Sequence, residues 1–193
     1  MNEVNVAQQV GCVLVPKEQV EKEKMMQNAS DVMDPKGKFQ IEHLDKDGNL
    51  KATYDMSNGI TDVGKDLLLN VMFNDAVQIA QASWYIGLID ISGFTGLADD
   101  NLMSSHNGWN EFVSFDEATR VAWGSGTTTT QSTTNASPAT FNINGAGTVK
   151  GVFITSVSTK SGSTGTLWAT ALFAADVPVT GGDQLKVTYT VSC

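Results

Sequence analysis

From Lys38 onward, short runs of β-branched and aromatic residues alternate with polar residues and are separated by Gly, Ser, Thr, Asn and Asp. The first two runs, "KFQIEHL" and "LKATYDM", flank "DKDGN" and predict a β-hairpin over residues 38–56. Eight more runs predict strands over residues 83–193: "SWYIGLIDI", "WNEFVSF", "RVAWGS", "TTTQSTTN", "ATFNING", "TVKGVFITSVS", "TLWATALFAA" and "QLKVTYTVS". This order predicts a mainly β protein with an antiparallel β-sandwich or jelly-roll-like domain over residues 36–193.

One segment between the hairpin and the later strands has helical spacing. Apolar residues recur at helical spacing behind Thr61, a favourable N-cap residue. These apolar residues are Val63, Leu67, Val71 and Met72. The pattern predicts one amphipathic helix over residues 62–80, which should cover one end or face of the sheet.

The segment "GSGTTTTQSTTNASPAT" is low in complexity. Its threonines nevertheless favour strands, so we predict an edge hairpin over residues 127–140 rather than a linker.

Residues 1–35 differ in character from the rest of the chain. An apolar patch from Val10 to Val15 precedes the charged segment "KEQVEKEKMMQ", which predicts about two turns of helix after Pro16. The segment has too little apolar surface to fold alone. Two interpretations stay open: a disordered tail, or an extended N-terminal arm that a partner or a neighbouring copy holds.

Composition and charge exclude several classes of function. With 21 acidic and 12 basic residues, the chain has a formal net charge of −9, so we expect no nucleic-acid partner. Its two cysteines, Cys12 and Cys193, are too few for a disulfide framework. No signal-peptide profile and no apolar run near the roughly 20 residues of a membrane span occur, so we expect a cytoplasmic product with no membrane role.

Two motifs that suggest bound ligands fail on inspection. Residues 59–66, "GITDVGKD", match the spacing of a phosphate-binding loop, but Asp66 replaces the required Ser or Thr and Asp62 adds a negative charge. The turn "DKDGN" has its glycine too early for a calcium loop, and Met56 occupies the position of the bidentate Glu. We expect no cofactor and no metal.

The segment "MSSHNGWNEFVSFDEATRVAW", residues 103–123, is the best candidate for an active site. It holds His106, one of two histidines, and Arg120, the only arginine. A nucleophile and base could come from Asp99, Asp100, Ser104, Ser105 and His106, and a glycosidase pair from Glu111, Asp116 and Glu117. However, residues adjacent in sequence rarely form a triad, the G-x-S-x-G pattern is absent, and His43 and His106 lack metal-ligand spacing.

The preferred interpretation of this segment is structural. We expect His106 to satisfy a loop while the aromatic residues pack into the core. These aromatic residues are Trp109, Phe112, Phe115 and Trp123. The chain is therefore predicted not to be an enzyme.

Three stretches carry a resemblance to a known family. They are "NGITDVGKDLLLNVMF", "SWYIGLID.SGFTGLADDNLMSSHNGWNEF" and the ending from "GTVKGVFITSVS" to "GGDQLKVTYTVS". Together with the first hairpin, they resemble a family of small virion-associated structural proteins of tailed bacteriophages. The resemblance covers about residues 36–193, and "MSSHNGWNEF" is its most specific motif. The family pattern has Arg-Pro-Ala-Trp where this chain has "RVAW", residues 120–123.

The resemblance implies a virion protein made in the host cytoplasm. We expect a capsid decoration, or cement, protein that binds the outside of the head, with the major capsid protein and further copies of itself, as a homotrimer, for partners. On this hypothesis the N-terminal arm is the anchor. The apolar residues expected to contact the capsid are Val6, Val10, Val13, Leu14 and Val15.

Two other functions stay open at this level. A tail or head-fibre component would contact the host surface through the β-domain, although the chain has no long repetitive shaft sequence. An enzyme acting on host polysaccharide would need a pair of carboxylates facing each other in a groove.

Overall fold

The computed structural model describes residues 35–193 in full, and before them only the backbone of two short strands. Strand β1 (Gln9–Val10) pairs antiparallel with strand β2 (Val13–Leu14), and the chain divides into two units between Asp34 and Pro35. The predicted helix after Pro16 lies outside the described residues, as do all five side chains of the predicted capsid contact.

Residues 35–193 form a mainly β, antiparallel, sandwich-like domain. Its strands follow the order β6-β5-β10-β11-β4-β3-β12-β8, with β7 beside β5 and β9 beside β12. The strands are β3 (Lys36–Leu44), β4 (Leu50–Ile60), β5 (Tyr85–Asp90), β6 (Asn110–Phe112), β7 (Val121–Ala122), β8 (Ser132–Thr134), β9 (Ala139–Asn142), β10 (Gly147–Thr155), β11 (Leu167–Val179) and β12 (Gln184–Ser192). The predicted hairpin and all eight later strands are therefore confirmed in position.

Strand β4 belongs to both halves of the sheet. Most of its length pairs with β3, whereas its last residues, Gly59 and Ile60, pair with Thr170 and Ala169 of β11. The strands β3, β12 and β9 alternate buried and less buried residues, as expected for one buried face. Their buried side chains form a single core with those of β5, β10 and β11.

The half made of β5, β10 and β11 is covered on its other face as well. Ile89, Phe153 and Leu167 pack there against Met103 and Trp109 of the loop between β5 and β6. Because both faces are covered, the middle of β5 and the second half of β10 are buried without alternation.

The single α-helix of residues 35–193, α1 (Asp62–Phe73), begins as predicted. The Thr61 hydroxyl accepts a hydrogen bond from the Gly64 backbone N–H. The predicted end at residue 80 is wrong, because the helix stops at Phe73. Asn74 donates its backbone N–H to the last turn, and Asp75 adopts a left-handed conformation with φ of 54°, which Asn and Asp favour more than other side chains do.

The threonine-rich segment forms an edge, as predicted. Among the strands of residues 35–193, β8 pairs with β12 alone and is the last in the sheet order. Thr129 and Ser132 bridge across a turn in which Thr130 and Gln131 both have positive φ. This conformation belongs to a tight hairpin turn.

The close approach of α1 to β11 depends on Gly64. A Cβ atom at this position would lie 2.7 Å from the backbone oxygen of Trp168. Alanine normally stabilises a helix relative to glycine by about 1 kcal/mol. Here we expect Gly64→Ala to lower the free energy of unfolding by about 1–3 kcal/mol, since backbone must move. Urea unfolding measures this change in free energy, and Asp66→Ala on the exposed face of the helix is the control. An unchanged or higher stability of Gly64→Ala would contradict the close packing of α1 on β11.

Candidate functional site

His106 is part of the loop that covers the sheet. Its ring stacks on Trp109 with centroids 4.0 Å apart, and Nδ1 lies 3.1 Å from the Trp109 carbonyl oxygen. The Trp109 indole in turn donates to the Asn101 side chain. Trp109, Phe112, Phe115 and Trp123 are all buried. The predicted packing of the four aromatic residues and the predicted loop contact of His106 are therefore confirmed.

Arg120 and Glu111 form a buried two-point ion pair. The Nε and one Nη of Arg120 each lie 2.9 Å from a different carboxylate oxygen of Glu111, and the two side chains are 1% and 3% exposed. Arg120 also donates to the carbonyls of Val157 and Gly162, and the Ser161 N–H donates to Glu111. The pair thus joins β6 to the loop between β10 and β11.

The three carboxylates of the predicted glycosidase set have different surroundings. Glu111 is bonded to Arg120, and Glu117 accepts from the side chain and backbone of Asn142. Asp116 is exposed. Since an acid or a base in hydrolysis needs an oxygen available to the substrate, this set offers little for such a reaction.

The serine and aspartate side chains of the predicted nucleophile and base set lie on the surface. Ser104, Ser105, Asp99 and Asp100 are exposed, and the His106 Nδ1 faces a backbone oxygen rather than a serine. The nucleophile–base–orienter chain that activates a serine is not assembled among them.

The Arg120–Glu111 pair has a measurable structural role. We expect Glu111→Gln to lower the free energy of unfolding by about 3–5 kcal/mol, because it leaves a buried guanidinium without a counter-charge. The double variant Arg120→Met, Glu111→Leu should recover a large part of that loss. Urea unfolding measures both variants, with Asp116→Asn as the exposed control. Equal losses in the single and double variants would contradict a pair of this kind.

A second buried ionic group, which the sequence analysis did not predict, lies at the end of the sheet. Asp183 Oδ2 is 3.0 Å from His43 Nε2 and 2.9 Å from both Lys51 Nζ and the Thr180 backbone nitrogen. Burial raises the pKa of the Asp183 carboxyl, but the hydrogen bonds from Lys51, His43 and Thr180 outweigh it and hold the pKa well below its ordinary value. The group joins the β3–β4 hairpin to the turn before β12.

The Asp183 carboxylate makes the free energy of unfolding depend on pH. A carboxylate with a lowered folded-state pKa stabilises the fold fully above its unfolded-state pKa of about 4, and the stabilisation is lost as the pH falls below that value. We therefore expect Asp183→Asn to be clearly less stable than the wild type at pH 7, and the difference to shrink from about pH 5 downward. Urea unfolding at several pH values measures the difference, and Asp176→Asn at the surface is the control. A difference that does not change with pH would show that the ionised carboxylate is not the stabilising form.

A cleft lined by aromatic residues opens near the edge strand β8. We call it the aromatic cleft and define it by Trp84, Trp123, Trp168 and Tyr189. Its volume is about 190 Å³, and Thr133, Ile154 and Val191 complete the lining. The four aromatic residues come from four distant parts of the sequence, and the antiparallel sheet brings them together.

Hydrogen bonds hold the inner wall of the aromatic cleft. The Trp123 indole donates to the backbone oxygen of Tyr189 at 3.1 Å, and the Trp168 indole donates to the Tyr189 hydroxyl at 3.0 Å. Burial raises the pKa of Tyr189 to about 12, so its hydroxyl stays neutral at physiological pH. The wall is therefore apolar, uncharged and fixed in orientation.

A polar extension continues from the aromatic cleft. It shares Trp84, Trp123 and Thr133 with the cleft, and its volume is about 380 Å³. The remaining lining residues are Gln78, Ile79, Gln81, Ser125, Gly126 and Thr128. No charged side chain of residues 35–193 lines either part.

Within residues 35–193, the two ligand motifs of the sequence have the geometry of ordinary turns and strands. No group of three or more His, Cys, Asp or Glu residues there could hold a metal ion. The strand before "GITDVGKD" is antiparallel, and Asp45 of "DKDGN" accepts from the backbone N–H groups of Asp47 and Asn49 as in a hairpin turn. Within residues 35–193, no helix is long and apolar enough to cross a membrane.

No protein-family model matches the chain, and no curated protein matches it either.

Proposed function

We propose that the chain is a non-catalytic structural protein of a phage virion that decorates the outside of the capsid. The observation that supports this proposal best is an apolar strip on the surface of the β-domain. The strip consists of Leu69, Met72, Phe73 and Val77, and these residues are 50%, 60%, 74% and 89% exposed. Leu69, Met72 and Phe73 lie at positions i, i+3 and i+4 of α1 and therefore share one helix face. Exposed apolar patches mark surfaces that contact other proteins.

The position of the strip explains why it is exposed. Helix α1 packs on the sheet through its first turns, where Gly64 is buried and Val63 contacts the second core. Its last turn and the following segment extend beyond this contact, and Phe73 and Val77 have no cover within the domain. An amphipathic helix whose second apolar side faces solvent is typical of a surface that is buried on assembly.

The absence of charged side chains from the helical part of the strip allows another copy of the same chain to be its occupant. The chain carries a net charge of −9, so two copies repel each other except where uncharged surfaces meet. Residues 67–74, "LLLNVMFN", contain no charged side chain. Packing of this strip in a closed trimer would bury it on each copy, in line with the repeated symmetry of a shell.

The N-terminal segment is the proposed link to the major capsid protein. Its apolar residues Val6, Val10, Val13, Leu14 and Val15 would supply the buried contact, and the charged "KEQVEKEK" segment a polar rim. A detached arm can bury a large area on a neighbouring subunit at the cost of being ordered there. The proposed location is the capsid surface.

The buried ionisable groups support a structural rather than a catalytic role. Arg120, Glu111, His43 and Asp183 each satisfy neighbouring groups of the domain. Catalysis on polysaccharide would need two carboxylates free to face a substrate. In the rival proposal of a tail or head-fibre component, the N-terminal segment would anchor the chain to the virion and the β-domain would face the host surface.

The proposal predicts two separable losses of binding. Full-length protein should form a trimer in sedimentation velocity and should pellet near stoichiometrically with shells assembled from the major capsid protein. The variant Met72→Ser, Phe73→Ser should sediment as a monomer, because it removes two exposed apolar side chains of the strip. The variant Val13→Asp, Leu14→Asp should remain a trimer and stay in the supernatant when mixed with shells.

Matched controls are available for both surfaces. Leu50→Ser changes a similarly exposed apolar residue outside the strip, at 60% exposure, and Val32→Asp changes an apolar residue outside both the proposed anchor and its polar rim. Both controls should behave as the wild type does. Failure of the wild-type protein to bind shells would reject the capsid role, and a monomeric wild type would reject the trimer.

A further inference from the structure

The aromatic cleft has the geometry of a site for one flat, partly apolar ring. Trp84 and Trp168 are only partly buried, and their rings meet edge to face at 68° with centroids 6.1 Å apart. Two indoles at this angle form a corner. A ring that stacks on one indole face contacts the edge of the other, which is the arrangement that aromatic side chains favour for apolar contact.

The polar groups lie beside the apolar part of the cleft, where they can contact the edge of such a ring. The inner indole N–H groups of Trp123 and Trp168 are already bonded to Tyr189, whereas the Trp84 indole N–H donates to no residue within 35–193. Beyond it, the extension presents the amide of Gln78 and the hydroxyl of Thr128. An apolar floor is thus followed directly by neutral donors and acceptors.

The rim of the cleft is held in place before any ligand arrives. The Gln81 side-chain amide donates to the backbone oxygen of Ser125. Gly126 donates its backbone N–H to the oxygen of Thr134, and the Thr133 hydroxyl donates to the oxygen of Gly126. Side chains that are already ordered lose less conformational entropy on binding, so a site of this kind favours affinity.

We propose that the aromatic cleft and its extension bind a neutral saccharide. A sugar ring has an apolar face of C–H groups for the indole corner, and a perimeter of hydroxyls for the amides and hydroxyls beyond it. The aromatic cleft has a volume of about 190 Å³, enough for part of a ligand, and the extension has a volume of about 380 Å³. The extension lies within the range of about 300–1,000 Å³ that small-molecule sites have. This inference does not rest on the proposed capsid role.

Charge and polarity decide against other occupants. An anionic ligand would meet a chain of net charge −9 and no basic side chain in the described lining of the cleft. A purely apolar peptide side chain would fill the indole corner but would form no hydrogen bond with the Gln78 amide or the Thr128 hydroxyl of the extension. A neutral saccharide satisfies both parts of the lining.

The test uses the tryptophan indole signals of the full-length protein in proton–nitrogen NMR spectra. The chain has four tryptophans; three line the aromatic cleft, and Trp109, buried against Phe153, is an internal reference. The probes are maltoheptaose, cellohexaose, chitohexaose and mannopentaose, with an oligogalacturonate as the acidic comparator. We expect at least one neutral probe to shift the signals of Trp84 and Trp168 and to leave that of Trp109 in place.

Two variants separate binding at the cleft from binding elsewhere. Trp84→Ala should weaken the affinity by about tenfold or more, as truncation of a central aromatic contact does. Thr128→Arg adds bulk and charge at an exposed rim position, so it leaves the core intact and should also weaken binding. Tyr54→Ala is the matched control, because Tyr54 is a partly buried aromatic residue packed on the same core outside the cleft.

The inference is overturned by any of three results. These are no shift with any neutral probe at millimolar concentration, tighter binding of the oligogalacturonate, or undiminished binding in Thr128→Arg. If Trp84→Ala does not fold, Thr128→Arg alone decides whether the cleft is the site.

Discussion

Strand β4 is the connection on which the rest of the domain depends. It pairs along most of its length with β3, and its last two residues pair with β11. One continuous strand therefore carries the hydrogen-bonded ladder from one half of the sheet to the other. Because both halves share β4, they form one continuous sheet, and their facing sides can enclose a common core.

The residue directly after β4 extends this connection to the helix. Thr61 is buried, its backbone N–H donates to the Trp168 carbonyl oxygen, and its hydroxyl accepts from the first turn of α1. The same carbonyl lies against Gly64. The position of α1, and with it the apolar strip at its far end, is thus set by β11, the strand that also carries Trp168 into the aromatic cleft.

Two ionic groups connect loops to strands at different places in the domain. Arg120 and Glu111 hold the loop between β10 and β11, and Asp183 with His43 and Lys51 holds the hairpin of β3 and β4 to β12. Buried charges stabilise only when both partners and the surrounding hydrogen bonds are present. Their partners come from distant parts of the chain, so the sequence marks them as isolated charged residues without indicating their pairing.

The sequence by itself determined the class of the fold, the positions of the strands and the start of the helix, because alternation, turn residues and an N-cap are local signals. It placed the helix end too late, since the left-handed Asp75 interrupts an apolar pattern that continues to Ile79. The aromatic cleft was decided only by the tertiary structure. Trp84, Trp123, Trp168 and Tyr189 lie up to 105 residues apart (189 − 84). Strand pairing between distant segments sets which residues meet, and no local pattern records it.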